Sequence, residues 1–101
     1  MAAQSAIRCF PPDDPASVGH FPGNPIMPGA VILREVERAV SAGGRSICVG
    51  VRAVKFLLPV RPGECLTIVW EERSLGEISF ICSAGTPDRR VATGTLRLRA
   101  R

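Results

Sequence analysis

A chain of 101 residues, 46% hydrophobic and 22% charged, can build one small core and not two, so residues 1–101 are read as a single domain. The net charge is +4, but the thirteen basic residues are scattered and four Phe and one Trp offer few rings for stacking bases, so nucleic-acid binding is not expected. No stretch approaches a membrane span and the start, MAAQSAIRCF, has no apolar run of signal-peptide length, so a cytoplasmic location without membrane insertion is expected.

From Ser5 to Phe10 the chain reads as a short strand, ended by Pro11-Pro12 and the turn residues Asp13-Asp14-Pro15. Residues 11 to 29 hold six prolines, which exclude regular helix and central strand. Val18, Phe21, Ile26 and Met27 within that stretch point to an ordered, packed loop. Pro28 suits a first helical turn, and Ile32, Val36 and Val40 recur at i, i+4, i+8, so a helix is predicted over 28–42, apolar nearly all round at its start and ended by Gly43-Gly44.

Everything after the helix reads as strand. Ser46 to Leu58 is rich in β-branched residues, with Ile47, Val49 and Val51 alternating and a kink or bulge expected at Pro59. Arg61-Pro62-Gly63 favours a type II turn. Strands follow over 64–73, 77–84 and 91–100, the last with Leu96, Leu98 and Ala100 on one face and Arg97, Arg99 and Arg101 on the other. The element order predicts an α+β domain, one helix wrapped by an antiparallel sheet of about five strands joined after the helix by tight hairpins. The edges of so small a sheet call for a second copy.

Cys9, Cys48, Cys65 and Cys82 form no C-x-x-C pair, and a single histidine cannot complete a Cys/His metal cluster. They are expected as four reduced thiols in or near strands, with no metal and no bound cofactor.

The stretch GHFPGNPIMPGAVIL, residues 19 to 33, closely resembles the H-F-P-G-x-P-x-x-P-G signature of the β-hydroxyacyl-(acyl carrier protein) dehydratases. A second stretch, VKFLLPVRPGECLTIVW, is similar to that family's K-F-x-x-P-V-x-P-G-D-x-L segment. The resemblance implies the hotdog fold, a long central helix wrapped by a curved antiparallel sheet, and dehydration of 3-hydroxyacyl thioesters carried by acyl carrier protein or coenzyme A. It also implies a homodimer or higher even oligomer whose active sites lie at the subunit interface.

Dehydration removes a proton from C2 and expels hydroxide from C3, so it needs a base, a proton donor and a donor to the thioester carbonyl. The resemblance assigns the base to His20 and the carbonyl donor to the backbone amide of Gly29, where unpaired helix-start N–H groups and the dipole favour negative charge. Phe21, Pro28 and Arg34 are read as substrate contacts. The family carries Glu or Asp fourteen residues after the histidine, and here that position is Arg34, a guanidinium that stays protonated. Glu35, one position along, is taken as the displaced acid, while Glu37 is placed to pair with Arg34. A hotdog thioesterase and a non-catalytic dimer that binds acyl carriers are the alternatives.

Overall fold

The computed structural model of the chain describes residues 3–15 and 26–100. Its elements are β1 (Gln4–Cys9), α1 (Gly29–Val40), β2 (Ser46–Phe56), β3 (Cys65–Ser74), β4 (Glu77–Ala84) and β5 (Arg89–Ala100). The five strands form one antiparallel sheet in the order β1-β3-β4-β5-β2. This is the α+β architecture that the hotdog resemblance implies.

Alternation sets the inner face of the sheet. Leu66, Ile68 and Trp70 on β3, Ile78, Phe80 and Cys82 on β4, and Val91 and Leu96 on β5 are buried. They enclose one core with Ile32, Val36 and Ala39 of α1, and Phe10, Met27 and Val60 close it at the end near the helix start. Phe80 stands opposite Gly94, and its ring fills the space a Cβ there would take. The glycine lets a large aromatic pack flat on the neighbouring strand.

Several expectations change. The helix starts one residue later than predicted, because Pro28 is extended (φ −61°, ψ 146°) and acts as the N-cap, its carbonyl accepting from the amides of Val31 and Ile32. The helix buries a single stripe and is not apolar all round at its start, since Ala30 is exposed and Val31 and Leu33 are only half-buried. The strands after the helix are not all hairpin-joined. β2 pairs with β5, at the far edge of the sheet from β1, so the connection from β2 to β3 crosses the end of the domain. The kink expected at Pro59 comes earlier, as register shifts between Cys48 and Gly50 and between Arg52 and Lys55, with Ala53 at φ 52°. Val49 and Val51, two of the alternating apolar residues, are exposed on this edge strand.

The four cysteines are not all reduced. Cys9 and Cys65 are register partners across β1 and β3 and are joined by a disulfide, while Cys48 and Cys82 are free. Fifty-six residues separate the bonded pair, so spacing alone carried no sign of it.

Candidate active site

The helix start is built by extended chain meeting helix. Met27, buried, donates its amide to the carbonyl of Val60 at 2.7 Å, and Pro28 then turns the chain into α1. Pro28 takes the amides of Val31 and Ile32, and among the described residues nothing accepts the amides of Gly29 and Ala30. Two open N–H groups at the positive end of a twelve-residue helix suit a polarised carbonyl oxygen.

Beside them lies an apolar cleft of about 400 Å³. Ile26, Met27, Gly29 and Ile32 form one wall, and Phe56, Leu57, Leu58 and Pro59 the other. Phe56, Leu57 and Leu58 are each about half exposed, so the cleft is open in the single chain. An aliphatic chain fits such walls.

The predicted site residues divide three ways. Gly29 lines the cleft, while Pro28, the helix N-cap beside it, is not in the lining. His20 and Phe21 lie outside the described residues. Arg34 and Glu35 are away from the cleft lining. At roughly 100° per residue, Glu35 is turned about 120° around α1 from Gly29 and lies more than one turn further along. There it faces β1, with its carboxylate 3.8 Å from Arg8, 3.9 Å from Arg34 and 3.2 Å from Arg38, and only 13% of the side chain exposed. Arg34 therefore pairs with Glu35, not with Glu37 as expected. Glu37 is on the β2 side of the helix, where its charge helps raise the pKa of the Cys48 thiol after desolvation, the larger cause. Within one protomer the described residues bring no carboxylate to the Gly29 cleft.

Sequence reading passed over Phe56 and the pair Glu64–Arg89. Phe56 and Glu64 belong to the second quoted stretch, whose repetition of the family pattern was the available signal. Arg89 sits among turn residues and carried none.

The chain shares 32% identity over 107 aligned positions with a 3-hydroxyacyl-(acyl-carrier-protein) dehydratase FabZ of Wolbachia sp. subsp. Drosophila simulans (strain wRi), covering 90% of this chain and 71% of that one. With a dehydratase FabZ of Thermus thermophilus it shares 33% over 100 positions, 85% of this chain and 70% of that one. In fold it is similar to the dehydratase heterocomplex ApeI:P from Xenorhabdus doucetiae, with a TM-score of 0.78 at 22% identity over 98% of this chain and 88% of that one. A hexameric thioesterase from Yersinia pestis has the same fold, with a TM-score of 0.77 at 15% identity over 95% of this chain and 84% of that one. The family model for ApeI-like proteins, described as ApeI dehydratase, matches residues 2–95, and the chain belongs to this family.

Proposed function

We propose that this protein dehydrates 3-hydroxyacyl thioesters to trans-2-enoyl thioesters. The observation that carries the reading is the apolar cleft that ends on the open amides of Gly29 and Ala30 in a chain of a dehydratase family. The acyl tail lies along Ile26, Ile32 and Leu58, and Pro28 and Phe21 contact its thioester end. The thioester oxygen accepts from the Gly29 amide, which lowers the energy of the enolate that forms as a proton leaves C2. His20 takes that proton, and the C3 hydroxyl departs as water after gaining one from an acid. Proton and hydroxide leave together and no electrons are exchanged, so the reaction needs no redox cofactor.

Glu35 is the proposed acid and Arg34 a contact that steadies it. Glu35 faces Arg8 of β1 and is outside the lining of the Gly29 cleft of its own protomer, so in this reading the acid of one copy serves the cleft of another. The β2 edge, with Val49 and Val51 exposed and Phe56, Leu57 and Leu58 beside it, supports a second copy docking there to give a homodimer or higher even oligomer. The positive balance, with Arg97 and Arg99 exposed on β5, suits an acidic acyl carrier or the phosphates of coenzyme A.

Hydration of a short trans-2-enoyl thioester, followed by loss of enoyl absorbance on coenzyme A and carrier-bound substrates, tests the reading. Turnover by the wild type and its loss in His20→Ala are expected. Release of free thiol in place of hydration would make the chain a thioesterase. Acyl-carrier binding without either reaction would make it a binding dimer.

A further inference from the structure

The connection between β2 and β3 faces the helix start across the proposed site. Leu57, Leu58 and Pro59 wall the cleft. The Val60 carbonyl holds the Met27 amide, two residues before the helix. Further on, the Gly63 amide donates to the Phe10 carbonyl at 3.0 Å and the Phe10 amide to the Glu64 carbonyl at 3.0 Å. The chain thus leaves β1 at Phe10 and reaches the helix at Met27 from anchor points on one short connection.

Backbone bonds from the Leu57 and Leu58 amides to the Val91 carbonyl fix the start of that connection, and one guanidinium ties Pro59 to Glu64 across the rest. Arg89, the first residue of β5, donates Nη1 to Glu64 Oε2 at 2.8 Å and Nη2 to Glu64 Oε1 at 2.6 Å. Nη2 also donates to the Pro59 carbonyl at 2.8 Å, and Nη1 to the Ala84 carbonyl at 3.3 Å. Glu64 Oε1 accepts the Arg61 amide at 2.8 Å as well, so the carboxylate closes its own turn while gripping the arginine. Arg89 is itself fixed by pairing of Ala84 with Arg89 where β4 meets β5. A planar fork with donors on both ends can hold a carboxylate and two carbonyls together, which an ammonium cannot.

We infer that Arg89, acting through Glu64 and the Pro59 carbonyl, is a positioning residue for the thioester site, holding the 59–64 connection where Val60 sets the helix start and Pro59 sets the cleft wall. The inference rests on the proposed placement of the thioester at Gly29. The helix-start amides act on charge that develops in the transition state, so their misplacement lowers kcat, while the apolar walls keep most of the ground-state binding.

The experiment compares Arg89→Ala, Arg89→Lys and Glu64→Gln by amide hydrogen exchange and by enoyl hydration. In Arg89→Ala the Met27 amide should exchange about tenfold faster or more, while the central-strand amides of Ile68 and Phe80 keep their protection. The same variant should lose kcat about tenfold at nearly unchanged KM. Arg89→Lys should fall between, and adding Glu64→Gln to Arg89→Ala should cost little more, since both remove one clamp. Unchanged Met27 protection, or equal loss at Met27, Ile68 and Phe80, would overturn the inference in favour of an ordinary structural tie. If Arg89→Ala does not fold, the exchange comparison is read from Arg89→Lys and Glu64→Gln. Absence of hydration by the wild type would overturn the proposed function instead, and Met27 exchange would still decide the role of Arg89.

Discussion

The ring of Phe56 lies over the α-carbon of Gly29, so that a Cβ on Gly29 would stand 2.8 Å from its Cε2 and Cζ. The last residue of β2 and the first of α1 thus meet where the cleft opens, and glycine is required there for the ring as well as for any ligand. Phe56 is half exposed, so a methyl group at position 29 would swing the ring aside and leave the core intact. Gly29→Ala is expected to lower hydration kcat/KM by about tenfold or more with little change in melting temperature. In a Phe56→Ala background the same change should cost less, because the clash is gone. Equal costs in both backgrounds would show that the ring does not matter.

The Cys9–Cys65 bond closes a separation of 56 residues, for which the chain-entropy model gives about 4 kcal/mol of stabilisation. Five registered pairs besides the bonded one hold β1 to β3, so the fold should survive its loss. Urea unfolding with and without dithiothreitol should show a lower midpoint in reductant. The Cys9→Ser variant should match the reduced wild type and be insensitive to reductant.

Glu64 has its pKa held below the ordinary 4.5, chiefly by the hydrogen bonds from Arg89. A carboxyl depressed in the folded state stabilises it above the unfolded value, and that contribution disappears as pH falls through the lower folded value. The stability difference between wild type and Glu64→Gln should therefore be constant from neutrality down to about pH 5 and shrink below about pH 4.5. A difference that persisted at pH 2 would mean that Glu64 acts through packing.

Glu35 is gripped by arginines that are themselves 35–63% exposed, so its ion pairs are worth little to the fold. Glu35→Gln should change stability by no more than about 1 kcal/mol. As the proposed acid it should nevertheless lose about a hundredfold in kcat. Full activity in Glu35→Gln would remove it from the mechanism and move the search to Glu37, on the β2 side of the helix.

Burial pushes the Cys82 thiol up to about 12, and desolvation also raises Cys48. Little thiolate exists on either at pH 8, so native protein should react with a thiol reagent only slowly. Two thiols should become reactive on unfolding in the absence of reductant, and four when the disulfide is reduced first.

Much of the fold could be read from single residues. Leu96 and Leu98 against Arg97 and Arg99 gave β5 its two faces, and Leu96 is indeed fully buried while both arginines are exposed. The Pro62-Gly63 turn is present, closed by the Glu64 amide on the Arg61 carbonyl with Gly63 at φ 88°. What escaped was partnership. A period of two tells which side of a strand is wet but not which strand lies next to it, so the pairing of β2 with β5 and the bond between Cys9 and Cys65 were invisible. Of the proposed site, the motif pointed to Gly29, which lines the cleft at the first residue of α1. Glu35 was legible only as a residue type, because its direction depends on the rotation of α1 against β1 and on arginines from two elements.

Among the described strands, β2 finds its only neighbour in β5, and the order of synthesis gives that pairing a cost. When α1 and β2 leave the ribosome, the strand that will cover the inner edge of β2 lies more than thirty residues behind. The backbone edge of β2 that β5 will pair must wait until the last strand arrives to close the sheet. Closure is consequently a late, long-range event. Truncation before Arg89 would remove the last strand and leave β2 without its partner and β4 with an open edge, a state prone to aggregate.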